Sequence, residues 1–227
     1  MDSLHRLEEL FAHFPGIGPR QARRFVYYLL GKSPASIAEF IKLIEEVRKA
    51  TSECPQCHRL FVNSTKQVVC SVCADPSRDA STLMIVARDS DFESIEKSGT
   101  YKGLYFILGG TVPILDKEPE KRIRLRALLE RIENDTSSVT GTNSSAAKKN
   151  LKEIILSLNT TPDGEHTTDI VKDALNKIMR EDAPGNNVKS TPLYSSKVTI
   201  LGRGLSTGAE LEYADSETIR NALSNRK

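Results

Sequence analysis

Four cysteines with the spacing of a metal site lie within one short stretch of this 227-residue chain. They form the pattern C-x2-C-x12-C-x2-C and are Cys54, Cys57, Cys70 and Cys73. Two close thiolate pairs of this kind are typical of a structural zinc site, in which four ligands complete a tetrahedron and leave no position for water. We therefore predict one structural Zn²⁺ held by the four cysteines, with His58 outside the ligand set. The apolar residues between the two pairs predict a hairpin: Phe61, Val62, Val68 and Val69.

The alternative interpretation is that the cysteines are reduced or disulfide-bonded without metal, and it depends on the compartment. The segment Met1–Glu9 has no basic region followed by an apolar one, and the chain has no stretch of about 18 apolar residues. We expect a cytoplasmic protein without a membrane span. Because the cytoplasm is reducing, thiolates available to a metal are favoured over disulfides.

A second candidate site is a glycine-containing turn between two predicted helices, Phe14-Pro15-Gly16-Ile17-Gly18. Gly16 and Gly18 are free to adopt positive φ and expose backbone N–H groups at the start of the second helix, where the helix dipole suits a phosphate. Three cations that are poorly placed for the dipole itself follow at once: Arg20, Arg23 and Arg24. The pattern predicts a helix-hairpin-helix motif that holds a nucleic-acid backbone without reading bases. The alternative is a tight turn with solvated arginines.

Two acidic segments follow predicted strands and resemble magnesium sites at the carboxyl ends of a parallel sheet. In Asp89–Glu93 we favour helix capping instead, because Ser90 and Glu93 fit a capping box. Thr161–His166 is the second segment, and a metal there would need several converging carboxylates that the sequence does not show.

Other catalytic patterns are missing from the sequence. The glycine-rich stretch Gly202–Gly208 matches neither G-x-G-x-x-G nor a P-loop, and there is no G-x-S-x-G elbow. No cysteine remains outside the predicted zinc site, and the four histidines suggest no triad. We therefore assign no catalytic residue.

The elements that position these residues follow from apolar spacing. Helices are predicted over residues 3–14, with Ser3 as N-cap, over 19–30 and over about 37–50. From Thr82 onward, apolar runs predict strands at 83–87, 104–108, 154–158 and 198–201. The helices between and after them are expected from about Asp91, over Pro119–Glu133 and Thr167–Arg180, and from about Ser216. This alternation predicts a mostly parallel sheet covered on both faces, and the polar segments Asn134–Lys149 and Glu181–Ser190 predict surface connections.

The composition is that of a folded, soluble protein, with 38% hydrophobic residues, 27% charged residues and a mean hydropathy of -0.36. At about 150 residues per domain, the length suggests one large domain that carries a small one. The 32 basic and 30 acidic residues leave a net charge of +2, so any nucleic-acid surface has to be local.

The order of helix-hairpin-helix, four-cysteine module and alternating α/β region resembles the bacterial RecR family over nearly the whole chain. The motifs that carry the resemblance are Leu10–Arg24 with Pro15–Arg20 at its centre, Cys70–Asp79, Glu96–Tyr105 and Leu211–Asp215. The resemblance implies an α/β protein with four parts: a helix-hairpin-helix DNA-binding region at 1–52, a C4 zinc finger at 53–79, a Toprim domain at 80–195 and a C-terminal oligomerisation segment at 196–227.

The resemblance also implies a function without catalysis. Family members form a homotetrameric ring through which duplex or gapped DNA can pass, and they act with RecO, and in many bacteria RecF, to load RecA on single strands covered by SSB. The family's basic hairpin residues correspond to Arg20 and Arg24. We accordingly expect a sequence-independent DNA clamp in recombinational repair, with Zn²⁺ as a structural cofactor.

The chain departs from the family pattern at three places. Where the Toprim strand normally ends in glutamate, and RecR often has Val-Glu-Glu, this chain has Val86-Ala87-Arg88. Asn134–Lys149 looks longer than the family's connection, and Ser206 stands where proline is usual. The missing acid favours the clamp over a Mg²⁺-dependent Toprim nuclease or topoisomerase-like enzyme. A third hypothesis, a zinc module that serves only protein assembly, is weakened by the glycines and arginines of the hairpin.

Overall fold

The structure is a computed structural model that describes residues 2–63, 67–116, 118, 121–136, 151–181, 196–202, 216 and 218–220. The chain divides into two compact units. One comprises Met1–Ser52 with Val62–Ser64, and the other comprises Glu53–Phe61 with Thr65–Lys227. None of the helices in the described ranges is long and apolar enough to cross a membrane.

The first unit contains three helices, which are α1 (Ser3–Ala12), α2 (Pro19–Leu30) and α3 (Pro34–Ala50). Each begins with a local signal. Asp2 caps α1 through a hydrogen bond to the N–H of Leu4, so the prediction of Ser3 as N-cap was wrong by one residue. A proline opens both later helices, where its missing N–H costs nothing. α3 therefore starts three residues before the apolar pattern that predicted it.

The second unit is built on a parallel sheet. Its strands are β3 (Asp79–Val86), β4 (Gly103–Ile107), β5 (Glu153–Ser157) and β6 (Lys197–Ile200), in the order β4-β3-β5-β6. The register sets Met84 of β3 beside Tyr105 of β4 and Ile155 of β5. Two further short strands, β1 (Thr51–Glu53) and β2 (Leu60–Val62), form a sheet of their own. The predicted parallel α/β fold is confirmed.

Alternation along the strands gives the sheet two buried faces. One face, which includes Leu83, Ile85 and Phe106, packs against α6 (Leu125–Thr136) and α7 (Pro162–Glu181). The opposite face includes Met84, Val86, Tyr105 and Ile107. It packs against α5 (Asp89–Ser98) and against three cysteines of the same unit, Cys54, Cys57 and Cys70. The cysteine cluster therefore belongs to the core of the second unit.

The predicted starts of α6 and α7 are wrong, and hydrogen bonds explain both differences. α6 begins at Leu125 and not at Pro119, because the chain first returns to the sheet, where the N–H of Arg124 donates to the carbonyl of Leu108 at 2.8 Å. α7 begins at Pro162, since Thr161 Oγ1 accepts the N–H of Gly164 at 3.2 Å. The acidic segment 161–166 is thus mostly a first helical turn and not a loop.

The start of α5 corrects the predicted capping box. Arg88 is the N-cap, and its backbone N–H donates to Asp91 Oδ2 at 2.9 Å, so the reciprocal carboxylate is Asp91 and not Glu93. The helix ends at Gly99, whose φ of 68° is the left-handed conformation that closes a helix.

The predicted connections fall largely outside the described residues. Residues 134–136 belong to α6 and residue 181 to α7, whereas 137–149, 182–190 and 203–208 lie outside the described ranges. Residues 216 and 218–220 are helical, in agreement with the helix predicted from about Ser216.

Candidate functional site

The structure brings the four cysteines together. Their Sγ atoms all lie within 4.8 Å of one another, and those of Cys57 and Cys70 are 3.6 Å apart. A tetrahedral Zn²⁺ with bonds of about 2.3 Å needs sulfurs about 3.8 Å apart. Cys54, Cys57 and Cys70 are buried and Cys73 is partly buried. The donor set and its spacing therefore fit a closed structural zinc site.

Two short turns hold the sulfurs in place. In the first knuckle (residues 54–60), the N–H of Cys54 donates to the carbonyl of Arg59 at 2.9 Å, and that of His58 donates to the carbonyl of Cys54 at 2.8 Å. The second pair lies at the start of α4 (Ser71–Ala74), and the N–H of Cys70 donates to Cys54 Sγ at 3.4 Å. N–H donors directed at sulfur stabilise thiolates, the form that binds a metal.

The predicted hairpin between the cysteine pairs was wrong. Its first two residues, Phe61 and Val62, lie in β2, but β2 pairs with β1, which precedes the first cysteine. Val68 and Val69 lie in no strand. The pair β1 and β2 thus encloses the first knuckle, which forms the turn between these two strands.

Crowding of the thiols couples their ionisation. A hydrogen bond from Cys57 lowers the pKa of the Cys54 thiol, and the same contact raises the pKa of the Cys57 thiol. Four thiolates within this space repel one another strongly, so full deprotonation requires a cation at the centre. A metal ion of charge +2 at the centre would supply part of that compensation.

His58 is directed elsewhere. Its Nδ1 lies 2.6 Å from Glu53 Oε1, and its ring meets the ring of Phe106 edge-on at 5.1 Å. The backbone of His58 has a φ of 59°, which is uncommon for a residue other than glycine. The knuckle thus uses His58 as a packing and hydrogen-bonding residue.

The first knuckle is docked on the sheet and its helices by contacts that the sequence did not reveal. The N–H of Ile107 in β4 donates to the carbonyl of Cys57 at 2.9 Å. The N–H of Leu60 donates to Asp89 Oδ1 at 2.9 Å, and the buried Arg131 of α6 donates to the carbonyl of Gln56. Asp89 therefore has a structural partner. No local signal could have found it, because the two residues are 29 positions apart.

A second docking contact joins the end of the cysteine module to the sheet. The Arg78 guanidinium forms an ion pair with Glu96 of α5 and donates to the carbonyl of Gly103 at 3.2 Å. The hydroxyl of Tyr105 donates to Glu96 Oε2 at 3.0 Å, and burial raises the pKa of Tyr105, so it keeps its proton. Burial opposes ionisation of Glu96, but hydrogen bonds from Arg78 and Tyr105 outweigh it and lower the pKa of Glu96.

In the hairpin, the two glycines have different roles. Gly16 has a φ of 77°, the left-handed conformation that favours glycine, and the N–H of Ile17 closes the turn on the carbonyl of Phe14 at 3.0 Å. Gly18 is the N-cap of α2 with an extended backbone, so the expectation of positive φ was wrong there. Because Gly18 has no side chain, it supplies no cap to the first turn, which leaves that helix end suited to an outside anion.

The structure separates the three arginines. Arg20 and Arg24 are exposed, and neither forms an ion pair with a residue that the structure describes. Arg23 instead pairs with Glu8 of α1 at 3.2 Å. No acidic residue lies on α2 itself. Of the three predicted DNA contacts, Arg20 and Arg24 are therefore cations without an ion-pair partner among the described residues, on a helix that carries only positive charges.

The acidic residues at the carboxyl edge of the sheet are dispersed among structural roles. Asp91 caps α5, and Asp163 Oδ1 accepts the N–H of Ile114 at 3.3 Å. Within the described residues, the four cysteines form the one group of three or more potential metal ligands. Ala87 is fully buried and Arg88 is exposed where β3 ends.

The parallel four-stranded sheet and its covering helices form a Toprim-like α/β domain, and residues 81–185 match the model of the Toprim domain. Residues 204–227 match the model described as RecR, C-terminal. The similarity to curated proteins extends over almost the full length, as the following relatives show.

The recombination protein RecR of Bifidobacterium longum subsp. infantis is 32% identical over 99% of this chain and 96% of its own. That of Chloroflexus aurantiacus is 31% identical over 98% of this chain and 92% of its own. The recombination protein RecR of Lactobacillus acidophilus is 29% identical over 97% of this chain and 94% of its own. The chain belongs to the RecR family, which confirms the resemblance found in the sequence.

Proposed function

We propose that this protein is a DNA-binding clamp of recombinational repair that acts without catalysis. Its relatives are named recombination proteins. The observation that carries the proposal is the free, exposed pair Arg20 and Arg24 beside the uncapped start of α2. Guanidinium groups and helix-terminal N–H groups both bind phosphate, and neither distinguishes one base from another. Binding is accordingly independent of sequence.

The four cysteines hold a structural Zn²⁺ in this proposal. Zinc is favoured because four buried thiolates make a closed tetrahedral set for this ion. Bound metal fixes the first knuckle, which in turn contacts β4, α5 and α6. We also propose that the chain is divided into regions 1–52, 53–79, 80–195 and 196–227, in which the zinc finger lies in sequence between the DNA-binding and Toprim regions.

The proposed assembly and partners are those that the resemblance to the RecR family implies. We propose a homotetrameric ring that encloses duplex or gapped DNA and acts with RecO, and with RecF where present, to load RecA on single strands covered by SSB. Light scattering with and without DNA tests the ring. A particle with the mass of one chain under both conditions would contradict it.

A Mg²⁺-dependent Toprim nuclease or topoisomerase is disfavoured as an alternative. At the end of the strand where Toprim enzymes have glutamate, β3 is followed here by buried Ala87 and exposed Arg88. A cation at that position repels Mg²⁺, and Asp163 is already bonded to the Ile114 N–H. Nicking of a supercoiled plasmid that Asp163→Ala abolishes would favour the enzyme.

The DNA proposal is tested by salt-dependent binding of the full chain. We expect the double variant Arg20→Ala/Arg24→Ala to weaken binding to every duplex sequence and to flatten the plot of log K against log salt by about 2, one for each lost phosphate contact. Anisotropy of labelled duplexes at several salt concentrations measures both effects.

The matched control removes two positive charges elsewhere in the same unit. Arg6 on α1 and Arg48 on α3 are exposed, so Arg6→Ala/Arg48→Ala changes the net charge equally. We expect the control to keep the parental slope. Parental binding by the Arg20/Arg24 double variant at every salt concentration would contradict the proposal.

A further inference from the structure

One exposed aromatic ring lies in line with the two free arginines of α2. Arg20, Arg24 and Tyr27 occupy positions i, i+4 and i+7, and they lie on the side opposite the fully buried Ala22 and Val26. Tyr27 is 58% exposed. The exposed strip of this helix thus combines two cations with a flat aromatic surface.

The neighbouring tyrosine has a different environment, although it is equally exposed. Lys32 Nζ lies over the ring of Tyr28 at 4.3 Å from its centroid. Tyr28 also lines an apolar cavity of about 400 Å³ together with Phe11 and Phe25. Tyr27 is not among the residues that line this cavity, and no ring or cation in the described part of the chain stacks on it.

We propose that Tyr27 stacks on an unpaired base of the DNA strand whose phosphates Arg20 and Arg24 hold, an inference that rests on the proposed function. The ligand class is therefore single-stranded DNA, or the single-stranded part of a gap. With a rise of about 1.5 Å per residue, Arg24 lies about 6 Å along the axis from Arg20, and Tyr27 lies about 4.5 Å farther. Each step corresponds to one to two nucleotides of a strand that keeps the stacked rise of about 3.4 Å per nucleotide found in a duplex.

Stacking and phosphate binding select different DNA structures. Duplex and single strands both present phosphates, so the arginines serve both. The faces of paired bases are covered by their neighbours, whereas an unpaired base offers a face to an aromatic side chain. Tyr27 therefore makes the surface prefer strands with unpaired bases, without selecting a sequence.

The test compares single-stranded and duplex DNA of equal length on the full chain. We expect Tyr27→Ala to weaken single-strand binding about 5- to 150-fold, the range for loss of one stacked base, and to leave duplex binding unchanged. Tyr27→Phe keeps the ring and should keep the affinity. Tyr28→Ala is the matched control, and it should bind both DNA forms like the parent.

A spectroscopic readout reports stacking directly. An oligonucleotide that contains 2-aminopurine should lose fluorescence when it binds the parent or Tyr27→Phe, and less when it binds Tyr27→Ala. Equal weakening of duplex and single-strand binding by Tyr27→Ala would overturn the inference. So would parental single-strand binding by that variant while Arg20→Ala/Arg24→Ala binds weakly.

Two further outcomes separate this inference from the proposed function. If the double arginine variant binds all DNA like the parent, the proposed function itself fails. If Tyr27→Ala lowers the molar mass measured by light scattering, Tyr27 belongs to an interface between copies of the chain, and the stacking inference is wrong.

Discussion

The first knuckle and the hairpin before α2 are both short turns that present polar groups, but their surroundings are opposite. The knuckle directs its sulfurs inward, and its backbone bonds to β4 and α5 of its own chain. The hairpin leads into α2, where Arg20 and Arg24 are exposed to solvent and have no ion-pair partner among the described residues. A substitution in the knuckle therefore acts on folding, whereas one in the hairpin acts on binding.

The largest expected effect is loss of the metal. Cys57→Ser removes one of the four ligands that close the tetrahedral site, and binding of structural zinc contributes about 10–16 kcal/mol in finger peptides. We expect this variant to lose zinc and to unfold the module, measured as zinc per chain and as a lower melting temperature.

The control for this variant is Val68→Ser, because Val68 lies between the cysteine pairs and is 81% exposed. It should retain one zinc per chain. Parental protein purified without chelator that contains less than about half a zinc per chain would contradict the zinc site.

A smaller effect is expected at the second docking contact. Glu96→Gln removes the charge that holds Arg78 and accepts from Tyr105, and we expect a loss of about 1–2 kcal/mol at neutral pH because Glu96 is partly exposed. The folded-state pKa of Glu96 is lowered, so its stabilisation is present above the usual glutamate range and is lost as pH falls through the lower folded value.

Urea unfolding of the parent and Glu96→Gln at pH 7 and in acid measures this contribution. The difference between the two proteins should shrink in acid. Glu93→Gln, on the exposed side of the same helix, should match the parent at both pH values. A difference that stays constant with pH would show that the charge of Glu96 does not stabilise the fold.

The smallest effect concerns Arg23, the arginine of the hairpin helix that has a partner. A surface ion pair such as Arg23–Glu8 contributes about 0–1 kcal/mol, so Arg23→Ala should change stability little. Because Arg23 is engaged with Glu8, we expect its loss to change the salt slope of DNA binding less than Arg24→Ala does. Equal changes in slope would mean that the ion pair opens on DNA and that the arginines act alike.

The sequence predicted the features that depend on local spacing. The cysteine pattern predicted the cluster, and short apolar runs predicted the four parallel strands to within a few residues. The first residues of helices were predicted wrongly where a second residue nearby could also cap or open the helix. Asp91 and not Glu93 reaches the N-cap of α5, and Thr161 with Pro162 opens α7 before its apolar pattern begins.

Contacts between distant residues could not be predicted in this way. The bond between Leu60 and Asp89 spans 29 positions, and that between Gln56 and Arg131 spans 75. Both use a backbone group, which every residue carries, so no residue type marks the partner. The same holds for Arg23, whose ion pair with Glu8 depends on how α1 packs against α2.

The bond between Ile107 and Cys57 has a consequence for self-association. Among the described strands, β4 lies at one edge of the four-stranded sheet, and a sheet edge with free N–H groups is a template on which other chains can add a strand. The Cys57 carbonyl occupies the Ile107 N–H at that edge. The first knuckle thus prevents another strand from pairing with β4 at this position. A chain from which the metal has been removed should therefore aggregate through β4 before the rest of the fold is lost.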